Sequence, residues 1–333
     1  MHYKLKSLAD QVIVVTGATS GIGLATCQMA AREGARVVMG ARNEATLRKV
    51  EQEIRAAGGQ VVSCVLDVAD TQGIERLADR AVSTFGQIDS WVNNAGVAVF
   101  GRMEKVSEKD HRRLFDTNFW GVVNGCMTAL RYVRDQGGAI INVGSVLSER
   151  SFPLQGMYSA SKHAVKGFTE AFRMEVEELG DPVSITLIMP AAVATPYVEH
   201  AKNYTDHEFK LPPPLYAPEV VARAILHAAA HSQRDVLVGD AAPAFSLAQK
   251  IMPRALDRVS EAVMFDLQKG ARKQSQAPDG LHHSISKGKV HCDDPGSPVQ
   301  PISFYNRGKE NPLLALGALA LAGAALAWVN RRR

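Results

Sequence analysis

Tyr158 and Lys162 stand four residues apart in Tyr158-Ser159-Ala160-Ser161-Lys162, and Ser145 precedes the tyrosine by thirteen residues. Residues four apart share one face of a helix, so phenol and ammonium would lie side by side. A free tyrosine titrates at about 10, and a neighbouring ammonium stabilises the phenolate, which predicts a phenol able to exchange protons near neutral pH. Ala139-Ile140-Ile141-Asn142-Val143 reads as a buried strand that delivers Ser145 to its C-terminal end. The set supplies a proton donor, a cation to tune it and a hydroxyl to hold a carbonyl oxygen. Tyr-x-x-x-Lys alone also occurs as a solvated helical pair, so the rest of the chain must decide between the two.

The elements that would position this set are legible from residue 12 onward. Val12-Ile13-Val14-Val15 has strand length and is followed by Thr16-Gly17-Ala18-Thr19-Ser20-Gly21-Ile22-Gly23 and a helical stretch from Leu24 to Arg32. A strand, a glycine turn and a helix N-terminus present backbone N–H groups and a positive dipole end to a pyrophosphate. The glycines are spaced four and then two apart, unlike the G-x-G-x-x-G fingerprint, and such turns also occur without a ligand. Apolar runs alternating with helical segments then continue to Asp235-Val236-Leu237-Val238, which predicts an α/β fold with a doubly wound parallel sheet.

The order and spacing of these motifs resemble the short-chain dehydrogenase/reductase family in its single-domain branch, over residues 8 to about 240. Thr16-Gly17-x-x-x-Gly21-x-Gly23 is similar to the family's cofactor turn. Asp67-Val68 resembles the pair that meets the adenine, and Asn93-Asn94-Ala95-Gly96 the segment beside the cofactor. Asn118 matches the asparagine that holds a water in the proton relay, completing a tetrad with Ser145, Tyr158 and Lys162. The resemblance implies a Rossmann-fold domain. It further implies nucleotide contacts from Thr16, Gly17, Ser20, Gly21, Ile22, Gly23, Asp67, Val68, Asn94, Ala95 and Gly96, joined by Tyr158, Lys162, Pro190, Val193 and Thr195. One departure is that Met189-Pro190 is followed by Ala191 where the family carries glycine, which puts the loop beside the nicotinamide in question.

Cofactor choice follows from charge. NAD-preferring dinucleotide folds place a carboxylate after the second strand, against the ribose hydroxyls. Here that strand is Ala35 to Gly40, Ala41 stands where the carboxylate would be, and Arg42 follows, an arrangement that suits the 2′-phosphate of NADP(H) over NAD(H). An ordinary solvated arginine opening the next helix is the alternative.

The 333 residues carry a net charge of +4, part of it in Arg307, Lys309 and Arg331 to Arg333, so the core is near neutral and no nucleic-acid footprint follows. Cys27, Cys64, Cys126 and Cys292 lack metal or redox spacing, and the first three read as small hydrophobes in regular elements. The polar start, Met1 to Asp10, carries no signal-peptide pattern. No metal site is expected; His282, His283, His291 and Cys292 match no ligand spacing.

Beyond the catalytic domain, assigned to residues 1–240, three further stretches are expected. Over 241–270, Phe245, Leu247, Ile251, Leu256, Val259, Val263 and Leu267 recur at helical spacing among Lys250, Arg254, Arg258 and Lys269, with Pro253 dividing the stretch into two helices. These read as a lid on the core or as a basic amphipathic surface on a membrane. Residues 271–311 read as a flexible polar linker of roughly 35 Å. Residues 312–330 read as a transmembrane helix: Leu313 to Val329 is uninterrupted and apolar, roughly 25 Å long as a helix, with Trp328 and three arginines at its end.

The chain is therefore expected to be a tail-anchored or single-pass membrane protein with its catalytic domain on the cytoplasmic side, with a homo-oligomer possible. The expected activity is an NADP(H)-dependent interconversion of ketone or aldehyde and alcohol. An apolar pocket from Val97, Val99, Leu147, Phe152, Met157, Val193 and Tyr197 suggests a lipophilic substrate. A non-catalytic NADP(H)-binding membrane scaffold is the alternative, although it would have no use for a proton relay.

Overall fold

A computed structural model describes residues 4–273 and 278–310. Seven parallel strands form the central sheet: β1 (Val12–Thr16), β2 (Arg36–Ala41), β3 (Gln60–Val65), β4 (Ser90–Asn93), β5 (Gly138–Val143), β6 (Val183–Pro190) and β7 (Asp235–Val238). Their spatial order is β3-β2-β1-β4-β5-β6-β7, so the winding reverses between β1 and β4. Val14 of β1 aligns with Val38 on one side and Trp91 on the other. All five β1 residues are buried, as expected for a strand covered on both faces.

Alternation along β1 divides the core. Ile13 and Val15 pack with Leu24, Leu47 and Ile225, from helices α1 (Gly21–Arg32), α2 (Glu44–Ala56) and the later Pro218–Ala230. Val12 and Val14 pack on the opposite side with Ile74, Cys126 and Val165, from α3 (Thr71–Phe85), a helix over Gly121–Val133 and a long helix over Gly156–Glu178. Local chemistry starts these helices. Asn43 accepts from Thr46 N at 3.0 Å to begin α2, and Asp70 accepts from Gln72 N and Gly73 N at 3.1 Å to begin α3.

Between α3 and the long helix lie α4 (Glu108–Phe115), a π-helical turn over Asp116–Trp120 and α5 (Gly121–Val133); α6 is the long Gly156–Glu178. A short α7 (Tyr197–His200) follows β6, α8 is Pro218–Ala230, and α9 (Ala242–Ile251) and α10 (Pro253–Leu267) follow β7. Pro253 is the first residue of α10, a position whose missing N–H costs nothing. The α9–α10 pair docks through polar groups and through Phe245, whose ring meets Phe152 edge-on with centres 5.6 Å apart. Arg150 donates to Gln249 at 2.9 Å and Asp257 at 2.7 Å, and Gln155 donates to Gln268 at 2.7 Å. Much of the predicted apolar stripe faces outward instead; Leu247, Ile251 and Val259 are all more than half exposed.

The segment read as a linker over 271–311 is a correction. The strand Lys269–Lys273 runs into it, Val299–Gln300 pairs with Leu215–Tyr216, and α11 (Phe304–Glu310) packs near β7. Leu281 has no exposed surface and sits among Val99, Val106 and Leu114. One fully buried leucine, tied down by backbone hydrogen bonds, seats an otherwise polar stretch. The transmembrane reading of 312–330 lies outside the described residues; among the described residues, no helix is long and apolar enough to cross a membrane.

Cys27 and Cys126 are buried and Cys64 half-buried; burial pushes the Cys126 thiol up to about 12, in keeping with inert packing groups. Among the described residues, no cluster of histidine, cysteine and carboxylate groups suits a metal. His282 pairs with Asp110 and His291 with Glu219, in different places.

Candidate active site

The crevice lies where the sheet's winding reverses, the position at which doubly wound sheets bind ligands. Thr16, closing β1, receives Asn94 N at 3.0 Å and Ala95 N at 3.2 Å on its hydroxyl, while Asn94 donates back to the Thr16 carbonyl at 2.9 Å. This cross-brace draws the loops after β1 and β4 together. Space then dictates glycine. A Cβ on Gly17 (φ +67°) would lie 2.8 Å from Ala95 Cα, and one on Gly23 would lie 2.3 Å from the Gly17 carbonyl oxygen. Gly21 (φ +52°) faces Thr195, whose side chain would meet an added Cβ at 3.0 Å.

A cavity of about 270 Å³ opens there, lined by Gly17, Ser20, Gly21, Ile22, Asp67, Val68, Asn94, Ala95 and Gly96 on one side. Ser145, Tyr158, Lys162, Pro190, Val193 and Thr195 line the other. The structure thus gathers these distant sequence positions around one space; Thr16 and Gly23 support the turn from behind. Tight glycine packing beside an open crevice fits a pyrophosphate laid against the N-terminus of α1. Ala191 takes the place of the glycine without strain: Leu154 is the one non-glycine described residue with positive φ, and Ala191 N bonds the Val238 carbonyl at 2.8 Å.

Asn118 lies in the π-helical turn and is fully buried. Its amide oxygen accepts from Val97 N at 2.8 Å, and its amide nitrogen donates to the Val97 carbonyl at 3.0 Å and the Ser161 hydroxyl at 3.2 Å. A π-turn interrupts the α4–α5 helical path here, a distortion common at functional sites. Ser145 caps a short 3₁₀ turn, its hydroxyl accepting from Leu147 N at 3.1 Å.

Tyr158 and Lys162 occupy the first turns of α6. Lys162 Nζ sits 5.7 Å from the Tyr158 ring centre and donates to the Val143 carbonyl at 2.8 Å. Burial pushes the Lys162 ammonium down to about 8. The expected lowering of the phenol by this lysine is not what the geometry gives. Burial pushes Tyr158 up, and the groups that oppose the shift are the hydroxyls of Tyr197 and Ser145. The cation lies over the ring rather than at the hydroxyl, and one of its donors goes to the Val143 carbonyl.

Tyr197, read from sequence only as a wall residue, belongs beside the tetrad. Its ring packs edge-on to Tyr158 with centres 5.5 Å apart, and its buried hydroxyl lies against the Tyr158 hydroxyl without completing a well-formed hydrogen bond. Val97, Leu147, Phe152 and Val193 also line the cavity, whereas Val99 and Met157 do not.

Two cofactor-side residues have partners that sequence did not disclose. Asp67 pairs with Arg113, and Arg42 donates to the carbonyls of Leu281 at 3.1 Å and Gly280 at 2.6 Å. Gly280, Ser284, Ile285 and Ser286 line the same cavity. Nothing in the polar composition of that stretch signals this; its isolated leucine is the only hint.

A seven-stranded, doubly wound sheet with a Ser-Tyr-Lys set facing a glycine-turn crevice defines a nucleotide-binding oxidoreductase architecture. Residues 11–205 match the short chain dehydrogenase family, and the chain belongs to it. An uncharacterized oxidoreductase of Bacillus subtilis, YxnA, is 40% identical over 333 residues, covering 99% of this chain and 93% of that protein. A Burkholderia phymatum short chain dehydrogenase/reductase solved in complex with NAD superposes with a TM-score of 0.68 at 26% identity, covering 76% of this chain and 96% of that one. An alcohol dehydrogenase of Thermococcus sibiricus, complexed with 5-hydroxy-NADP, gives 0.60 at 26% identity, over 68% and 95% of the respective chains. The chain is an oxidoreductase of this family, whose solved relatives bind NAD or NADP.

Proposed function

We propose that the protein interconverts a lipophilic ketone or aldehyde and its alcohol with NADP(H), with Tyr158 as acid and base. The observation that carries this reading is the convergence of Ser145, Tyr158 and Lys162 on the crevice beside the glycine turn. When bound, the nicotinamide supplies or accepts the hydride. In the reducing direction the Ser145 hydroxyl hydrogen-bonds the substrate oxygen and Tyr158 gives it a proton. Lys162 would hold the nicotinamide ribose and place an ammonium over the phenol ring, and Asn118 would link the lysine side of the site to water. Tyr197, edge-on to Tyr158, fixes the phenol's angle toward the substrate.

Preference for NADP(H) is supported by Ala41, which puts no carboxylate at the ribose position, and by Arg42 beside it, whose acidic neighbour Asp67 is already paired with Arg113. His200 is pushed down, and so kept neutral, first by its own burial and then by the charges of Arg42 and Lys287, which places two cations near it. That concentration suits a 2′-phosphate. A lipophilic substrate is supported by the apolar wall of Val97, Leu147, Phe152 and Val193, and by the outward apolar row on α9 and α10, whose neighbours Lys250, Arg254 and Arg258 suit a membrane surface. The apolar stretch over 313–329 would strengthen that association. Exposed Trp120, Met127 and Met174 on the outer helices support self-association.

Purified full-length protein, assayed with NADPH against carbonyls of graded chain length, should turn over long-chain or polycyclic ketones and leave acetone-sized ones nearly untouched. NADPH should bind at least about tenfold more tightly than NADH, a difference of about 1.4 kcal/mol. Equal affinity for the two nucleotides would remove the phosphate role of the Arg42 region. Absence of any carbonyl reduction or alcohol oxidation across the panel would remove the activity.

A further inference from the structure

The chain beyond α10 returns across the crevice, with anchors on the substrate side and α4 at one end and on the glycine turn, Arg42 and α2 at the other. Gly280 N donates to the His200 carbonyl at 2.7 Å, so the segment begins at α7, beside the substrate side of the site. It then passes Arg42 and Arg113, both of which donate to the Leu281 carbonyl. Leu281 itself is fully buried, and His282 pairs with Asp110 at 2.7 Å. Farther along, Ser286 donates to the Thr19 carbonyl at 2.8 Å and accepts from Thr46 at 2.9 Å. Finally the Lys289 carbonyl takes the N–H of Gly21, at 3.0 Å, from the first residue of α1.

Arg42, Asp67, Thr19 and Thr46 all belong to the β1-β2-β3 half of the sheet, and Arg113 reaches Asp67 from α4. That half holds the adenosine portion of a dinucleotide in a doubly wound fold. Ser284, Ile285 and Ser286 face the shared cavity from outside it. A nucleotide in this crevice would therefore lie between the glycine turn and the segment.

We propose that residues 280–290 form a strap: the outer wall of the adenosine half of the nucleotide site, which must lift for a nicotinamide nucleotide to enter or leave. This rests on the reading above, that the crevice holds such a nucleotide. The strap is attached at both ends, by Leu281 in its apolar seat and by Ser286 and Lys289 on the glycine turn, with its middle spanning the opening. Lifting it is a local opening whose equilibrium is set by those anchors, so nucleotide exchange is gated by the tail rather than by diffusion. Arg42 then has two duties, because its two terminal nitrogens hold the strap down at the position where a 2′-phosphate would sit.

The test is stopped-flow fluorescence of NADPH binding to the full chain, and of its displacement by excess NADP⁺, in wild type, Leu281→Ala and Leu281→Met. Leu281→Ala empties the apolar seat, so both association and dissociation should speed up at least about tenfold, while Leu281→Met, similar in volume, should stay near wild type. The equilibrium constant should move less than either rate. A second measurement needs no variant. Lys287 and Lys289 are exposed, and trypsin cleavage after them reports strap opening, which saturating NADPH should slow severalfold.

A folded Leu281→Ala protein with wild-type exchange rates overturns the strap. So does tryptic cleavage at these two lysines that NADPH leaves unchanged, which decides the matter if the alanine variant does not fold. Wild type that binds neither NADPH nor NADH overturns the nucleotide reading itself, and the strap with it. Binding with ungated exchange removes the strap alone.

Discussion

Tyr158→Phe should lower kcat by about a thousandfold, within the range of about 10²–10⁴ that positioned acid–base groups contribute, while the dissociation constant for NADPH changes by less than about twofold. The substitution removes only the hydroxyl. The remaining ring keeps its edge-on contact with Tyr197 at 5.5 Å and its place under the Lys162 ammonium at 5.7 Å, so the ribose side of the site is undisturbed. Fluorescence titration gives the binding constant and NADPH consumption gives the rate. A variant that retains a tenth or more of the wild-type turnover, as a marker of about 1.4 kcal/mol or less, would exclude the phenol as the proton donor.

Gly23→Ala should abolish nucleotide binding and lower the melting temperature, from a change of one methyl group. Its Cβ would stand 2.3 Å from the Gly17 carbonyl oxygen and 2.5 Å from Asn94 Nδ2. Neither neighbour can retreat cheaply, since Asn94 holds the Thr16 carbonyl and Gly17 already abuts Ala95. Relief must come from moving α1 off the turn, which carries with it the N–H groups proposed to receive the pyrophosphate. Overpacking of this kind costs about 1–3 kcal/mol, enough to see by thermal denaturation. Gly167→Ala is the control: it lies within α6, nothing is within 4 Å of its added Cβ, and helix propensity favours alanine by about 0.8–1.0 kcal/mol. That variant should be slightly more stable than wild type. Equal melting temperatures and equal nucleotide affinities for the two variants would contradict the packing argument.

Sequence reading worked where function is written in short, local patterns. The strand Val12–Thr16 carries its burial in an unbroken apolar run, and the turn after it needs glycine because backbone meets backbone there. Tyr158 and Lys162 are one helical turn apart, so helix periodicity alone places them together. Pro253 divides α9 from α10 by missing one donor, a property of the residue itself.

Interactions across large sequence separations were not legible. Spacing brought Lys162 near Tyr158, but the phenol is pushed up by its own burial, against the hydroxyls of Tyr197 and Ser145, which no spacing reveals. Position offered Arg42 for a phosphate, yet its partners are carbonyls 238 and 239 residues away. The stretch from 278 to 310 looked like solvent-exposed linker because its order comes from one buried leucine and from backbone groups that meet distant parts of the chain. Composition records how much apolar surface a segment can bury by itself. It does not record the surface that another part of the chain offers it, and at Leu281 that offer came from Val99, Val106 and Leu114, more than 160 residues earlier. The sequence alone therefore determined the apolar run of β1, the glycine turn after it and the pairing of Tyr158 with Lys162 on one helix, which rest on neighbours within a few residues. Only the tertiary structure decided what covers the crevice, because that cover is held by contacts no local pattern encodes.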